Sequence, residues 1–255
     1  MCKVVPRIVV FDSGLGSLSI ISEMQKAFKC EIVYFADSKS YPYGKKSQGQ
    51  LEKIMDKSIN LLEKFSPDFI VVASNTPSLM MDLATSKIFD VKPPLKEAKK
   101  LSKSKQIGIL ATESAVKSKG LSRYIQKNIP KSFKIFKING SKLVELVESG
   151  KFLTEKKYCK KMIKKELQIL YQNQIDVVTL SSTHLPFLKK YLEKEFSSIQ
   201  FIDPGSIVAQ KIYSKIKNKQ SKRNSLKIFT SGNTKEFQNK LSKIGIKNKV
   251  NSLTF

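Results

Sequence analysis

The sequence predicts an α/β protein built as two similar lobes, each a mainly parallel sheet flanked by helices, with a ligand cleft between them. Three observations predict it. Short apolar runs recur along the chain, each ends in small polar residues, and a longer helical pattern follows each one. That alternation is the βα rhythm of a parallel sheet buried on both faces. In such sheets ligands bind beyond the carboxyl ends of the strands, so polar residues collected at strand ends mark the candidate cleft.

The first predicted strand is Arg7–Phe11, running into Asp12-Ser13-Gly14-Leu15-Gly16 and an amphipathic helix over Leu18–Phe28. A second strand spans Glu31–Phe35, followed by a loop from Ala36 to Gly44 and a helix over Ser47–Phe65. Asp68–Ala73 is the third strand and runs into Ser74-Asn75-Thr76. Pro93-Pro94 then interrupts the pattern, because proline lacks an amide donor and restricts the residue before it. The rhythm restarts with Gln106–Leu110, which leads through Ala111-Thr112-Glu113-Ser114 into a helix over Ala115–Asn128 and a strand at Lys134–Ile138. A short helix over Lys142–Glu148 closed by Gly150, a long lysine-rich helix over Glu155–Asn173 and a strand at Asp176–Leu180 follow. That strand ends in Ser181-Ser182-Thr183-His184. Asp203-Pro204-Gly205 returns the chain to the first lobe, and a basic solvated linker, Lys217–Asn224, precedes a strand at Leu226–Phe229 and a helix over Lys235–Ile244. The separations of Asp12 from Ser74 and of Thr112 from Ser182 are similar, as an internal pseudo-repeat requires. The expected division is residues 1–94 plus 206–255 for the first lobe and 95–205 for the second.

Composition narrows the class. The 255 residues carry 47 Lys plus Arg against 21 Asp plus Glu, a formal charge of +26, with 40% hydrophobic residues, enough for a substantial core. Arginine, the preferred phosphate reader, occurs only at Arg7, Arg123 and Arg223. The charge is therefore mostly lysine, read either as a solvated surface or as weak binding to a polyanion. Cys2, Cys30 and Cys159 form no metal-binding or disulfide framework, which fits a reduced, cytoplasmic setting. No run approaches the roughly 18 apolar residues of a membrane span, so no membrane partner is expected. A homodimer is compatible with the sequence.

Ser74-Asn75-Thr76 and Ser182-Thr183-His184 each read as the opening of a helix, where free backbone N–H groups favour a carboxylate. Two such ends facing each other would hold a small acidic molecule from both sides. Taken together, Val10-Phe11-Asp12-Ser13-Gly14, Tyr34-Phe35-Ala36-Asp37, Pro42-Tyr43-Gly44, Ala73-Ser74-Asn75-Thr76, Val147-Glu148-Ser149-Gly150, Ser182-Thr183-His184, Asp203-Pro204 and Thr230-Ser231-Gly232 resemble the glutamate racemase family of the aspartate/glutamate racemase superfamily, in order and spacing. The resemblance implies a cofactor-independent isomerase that interconverts L- and D-glutamate with two cysteines, one on each face of the substrate Cα. It implies that Asp12 and His184 assist the two bases and that Glu148 supports the second. It further implies that Ser13, Pro42, Tyr43 and Gly44 touch the side chain of glutamate or aspartate, while Asn75, Thr76 and Thr183 bind its α-amino and carboxylate groups. No metal or cofactor is expected.

The sequence departs from the family pattern at both bases, since Ser74 and Ser182 stand where the cysteines belong. A hydroxyl is a far weaker acid than a thiol, whose ordinary pKa is about 8.5, so weak or absent racemisation is expected. Neighbouring positions differ as well: Pro77 for alanine, Ser181 for glycine, Leu185 for tyrosine, Ala115 for threonine and Asn139-Gly140 for Cys-Pro. Such a set reads as natural divergence. Three alternatives stay open: a Ser182 nucleophile activated by His184, an Asp12/Glu148 carboxylate pair, and a non-catalytic binding or regulatory protein for an acidic small molecule or a polyanion. Tyr43 also has a plain turn reading between Pro42 and Gly44.

Overall fold

The computed structural model describes residues 5–216 and 221–254. Cys2 and the first half of the expected linker, 217–220, lie outside the described residues. In chain order the elements are β1 Arg7–Asp12, α1 Ser17–Ala27, β2 Glu31–Ala36, α2 Gln48–Glu63, β3 Phe69–Val72, α3 Asn75–Met80, β4 Ile88–Asp90 and α4 Leu95–Leu101. There follow β5 Gln106–Ala111, α5 Glu113–Lys117, α6 Lys119–Asn128, β6 Lys134–Asn139, α7 Ser141–Glu148, α8 Lys151–Thr154, α9 Lys156–Glu166 and α10 Ile169–Gln172. The chain ends with β7 Val177–Ser181, α11 Lys189–Glu195, β8 Gln200–Ile202, α12 Pro204–Ile216, β9 Ser225–Thr230, α13 Thr234–Lys243 and β10 Val250–Ser252.

Two parallel sheets form, of six strands in the order β10-β9-β2-β1-β3-β4 and of four in the order β6-β5-β7-β8. The central strands β1, β2 and β5 are apolar between their first residues and their ends because both faces are covered. In β1, Ile8 and Val10 enter one core layer while Val9 and Phe11 enter the other. The smaller sheet repeats this: Ile107, Ile109 and Ala111 of β5 face one layer and Leu110 faces the opposite one. Strand β9 docks late in the chain beside β2, with Glu31 opposite Ser225 and Ala36 opposite Thr230. Helix α12 brings the chain back by packing Val208, Ala209, Ile212 and Ile216 into the core that also holds Leu18, Ile20, Ile21 and Met24 of α1.

Several elements differ from expectation. The helix expected over Ala115–Asn128 is two helices meeting at Ser118, whose extended backbone ends α5 and whose hydroxyl accepts the Leu121 N–H at 3.0 Å to cap α6. A serine there competes for backbone donors and starts a new helix instead of continuing the old one. The helix expected over Glu155–Asn173 breaks at Leu167, so that the buried Leu167 and Leu170 can both enter the core. The second opening, after Ser182-Thr183-His184, begins with a 3₁₀ turn at Leu185–Leu188 before α11. Within the expected solvated linker, Asn224 is anchored, donating to the Gln25 carbonyl at 3.1 Å and accepting the Cys30 N–H at 3.2 Å.

Candidate active site

Four strand ends, after β1, β3, β5 and β7, converge on one small cavity of about 60 Å³ between the two sheets. The six-stranded sheet contributes Asp12, Ser13, Ser74, Asn75 and Thr76, and the four-stranded sheet contributes Thr112, Ser181, Ser182, Thr183 and His184. Pro42, Tyr43 and Gly44 close it from the loop after β2, together with Tyr41 and with Val144 of α7. A wider cleft of about 770 Å³ adjoins the cavity through Tyr41, Pro42, Gly44, Thr112 and Val144. Larger grooves of about 820 and 810 Å³ lie elsewhere on the surface and contain none of the motif residues Asp12, Ser74, Ser182 or His184.

Asp12 is buried at the end of β1. One oxygen accepts the Ser13 N–H at 2.6 Å and the other accepts the Thr183 hydroxyl at 3.3 Å, a bond that joins the two lobes. Burial raises its carboxyl above the usual aspartate value, and the Glu148 charge adds to the rise. His184 and hydrogen bonds from Ser13 and Ser74 oppose that shift without cancelling it. The approach is close enough to require glycine at position 16. A Cβ there would collide with the Thr183 hydroxyl and come within 2.7 Å of the Asp12 carboxylate and 2.9 Å of the His184 ring.

Glu148 ends α7, just before Gly150 turns the chain with a φ of 76°. The glutamate lies behind the cavity wall. One of its oxygens meets His184 Nε2 at 3.0 Å and accepts the Leu15 N–H at 3.1 Å. The other accepts the Lys240 ammonium at 2.7 Å. Burial pushes this carboxyl up, yet the hydrogen bonds and charges of His184 and Lys240 outweigh that and hold it at about 2. Glu148 is therefore a fixed anion, an acceptor that orients the imidazole through Nε2.

The remaining expected residues divide by partner. Asn75 donates to the Val91 carbonyl at 2.5 Å, while its side-chain oxygen is buried without a hydrogen-bond partner. Tyr43 lines the cavity, but its hydroxyl donates away from it to Asp37 at 3.3 Å. Ser231 donates to the other Asp37 oxygen at 2.8 Å, and the Asp37 N–H donates to the Asp12 carbonyl at 2.8 Å, so a buried carboxylate braces the loop of Pro42 and Gly44. No thiol reaches the cavity among the described residues. Cys30 precedes β2, at the opposite end of the sheet from the strand ends, and burial with the Glu31 charge pushes its thiol up to about 12. Cys159 sits in the core on α9, its thiol likewise raised by burial. Among those residues no group of three or more histidine, cysteine and acidic side chains could hold a metal ion, and no helix is long and apolar enough to cross a membrane.

Tyr41, Val144, Lys240 and the Leu15 N–H were not expected from the sequence. Tyr41 adjoins Pro42 and was within reach of a motif reading, whereas Lys240 is one lysine among many and carries no local signal.

No family model matches the chain. Glutamate racemase of Buchnera aphidicola subsp. Schizaphis graminum is 32% identical over 235 residues, covering 86% of this chain and 88% of its own. The chain belongs to the glutamate racemase family. The fold agrees: glutamate racemase isoform RacE1 from Bacillus anthracis superposes with a TM-score of 0.84 at 24% identity, over 98% of each chain. The Escherichia coli glutamate racemase, solved in complex with L-glutamate and the activator UDP-MurNAc-ala, superposes with a TM-score of 0.82 at 22% identity, again over 98% of each chain. Membership in the glutamate racemase family thus rests on sequence, and the two-sheet architecture is the fold of these solved structures.

Proposed function

We propose that the chain keeps the acidic-amino-acid cleft of the glutamate racemases, with racemase activity that is weak or absent because Ser74 and Ser182 replace the two cysteines. The observation that carries this is the composition of the cavity. Both strand ends that supply the bases bring a serine hydroxyl to it, alongside Asp12 and His184, and both described thiols are buried elsewhere. A positioned acid or base contributes about 10²–10⁴-fold to a rate, and both would be weakened here.

The proposed division of labour follows the fold. Ser74 backed by Asp12 faces one side of the substrate Cα, and Ser182 backed by His184 and Glu148 faces the other. Asp12 is the more proton-attracting of the two carboxylates, so residual proton transfer on the Ser74 side would end there. Asn75, Thr76 and Thr183 hold the α-amino and carboxylate groups. The unpartnered Asn75 oxygen suits an ammonium donor. Ser13, Pro42, Tyr43 and Gly44 shape the side-chain end, where glutamate or aspartate fits. The two lobes are 1–94 plus 206–255 and 95–205, no cofactor takes part, and a cytoplasmic setting belongs to the same proposal.

Exchange of the α-proton for deuterium in D- and L-glutamate and aspartate tests it. The expected outcome is exchange far below ordinary enzymatic rates in the natural chain and a gain of about 10²-fold or more when Ser74→Cys and Ser182→Cys are combined. Rapid exchange by the natural chain, abolished by Ser74→Ala, would overturn the claim of impairment. The orphan Asn75 oxygen equally favours a second reading, a non-catalytic binding or regulatory protein for an acidic small molecule. It predicts calorimetric binding of glutamate or aspartate with no exchange even in the double cysteine variant. Binding of DNA or RNA that falls steeply with salt would instead indicate a polyanion partner for the lysine surface.

A further inference from the structure

We propose that Lys240 is a positioning residue for His184, acting through Glu148 from the opposite lobe. Lys240 lies on α13, within the β9–α13–β10 unit at the edge of the six-stranded sheet, while Glu148 ends α7 beside the four-stranded sheet. The ammonium reaches across the wide cleft and donates to one carboxylate oxygen at 2.7 Å. The other oxygen is thereby left to His184 Nε2 at 3.0 Å and to the Leu15 N–H at 3.1 Å.

The chemistry of a carboxylate makes this arrangement consequential. The torsion that turns a glutamate carboxylate is broad, so one good hydrogen bond does not by itself fix the direction of the second oxygen. A cation on the far oxygen pins the group from behind and keeps it ionised, hence purely an acceptor. Whenever the ring is neutral, an ionised acceptor facing Nε2 keeps its one proton on Nε2 and leaves Nδ1 free. Glu148 is only 8% exposed, so no bulk water replaces Lys240 easily at that oxygen, although the lysine stem itself is half exposed on the cleft wall. Lys240 thus links the closure of the two lobes to the state of the imidazole: withdrawal of α13 would release the far oxygen, and with it the alignment of His184.

The inference rests on the proposed role of Glu148 and His184 in the cleft, but its test needs neither turnover nor a ligand. The chain has a single histidine, so the ring nitrogens of His184 give one assignable pair of resonances after ¹⁵N-histidine labelling. Tautomer populations of the neutral ring are compared in the natural chain and in Lys240→Met, Lys240→Gln, Lys240→Arg and Glu148→Gln. The expected result is a predominantly Nε2–H ring in the natural chain and in Lys240→Arg. In Lys240→Met and Lys240→Gln the Nε2–H share should fall by about half or more, toward the Glu148→Gln spectrum. Unchanged ring resonances in a folded Lys240→Met or Lys240→Gln protein, with only a lower melting temperature, would overturn the proposal and leave Lys240 as a structural tie. Failure of Lys240→Arg to restore the natural spectrum would also overturn it. Absence of acidic amino-acid binding by the natural chain, with the Lys240 variants shifting the ring resonances as expected, would count against the proposed function alone.

Discussion

Asp12 and Glu148 are both buried beside the same cavity, and the structure drives their carboxyls in opposite directions. Asp12 is met by neutral donors, the Ser13 amide and the Thr183 hydroxyl, so burial dominates and its proton affinity rises. Glu148 is met by His184 and the Lys240 ammonium, so charge overcomes burial and its proton affinity falls. Depth alone therefore says little about a buried acid. The identity of the donor on each oxygen decides whether the group serves as a proton acceptor or as a fixed charge.

The largest expected effect that would break this contrast comes from Glu148→Gln. The carboxyl is held at about 2 when folded against an ordinary value of 4.5. Its contribution to stability is thus full above pH 4.5 and lost as pH falls through 2. Replacement should cost on the order of 3 kcal/mol at neutral pH by urea unfolding, with the difference from the natural chain shrinking in acid. A constant difference from pH 7 to pH 2 would show that packing, and not charge, was lost. Gly16→Ala ranks next. It forces a methyl onto the Thr183 hydroxyl and against Asp12 and His184, so a loss of about 1–3 kcal/mol is expected. Recovery of part of that loss in a Gly16→Ala, Thr183→Ser double variant would not be expected, because the hydroxyl itself is the obstacle; recovery with Thr183→Ala would. Asp12→Asn sharpens the comparison from the other side with the smallest effect. Its folded value lies above the ordinary 3.8, so the stabilising protonated form is lost as pH rises through that folded value. An amide keeps an acceptor for Ser13 without the buried charge. Stability at neutral pH should rise by about 0.5–1 kcal/mol and the gain should vanish in acid. A loss at neutral pH would mean that the anion is needed to hold Thr183.

The two-sheet fold was legible because buried parallel strands such as Ile8–Phe11 and Phe69–Val72 are continuous apolar runs that lead into small polar residues. The cavity was legible for the same reason: the strand ends of a parallel sheet emerge on one side, Asp12 and Ser74 from the six-stranded sheet and Thr112 and Ser182 from the four-stranded one. Edge strands β4, β8 and β10, three residues each, were not legible, since so short a segment shows no periodicity and is defined by its neighbour. Helices α5 and α6 read as one because the capping role of Ser118 depends on its extended backbone, which sequence alone leaves open. Lys240 was invisible among many lysines, as its partner lies 92 residues away and meets it only after both lobes are assembled.

The docking of β9 beside β2 also bears on how the chain emerges from the ribosome. Every strand of the four-stranded sheet lies between Gln106 and Ile202, so that sheet is complete before the last part of the chain has been made. The first sheet begins earlier yet finishes later: β2 waits with one edge open until Ser225–Thr230 is synthesised, and Asp37 waits with it for the hydroxyl of Ser231. The lobe whose first strands precede the four-stranded sheet is therefore the one whose last strands follow it. A chain truncated at residue 224 should expose the edge of β2 to chaperones or to other chains, while the four-stranded sheet is already complete.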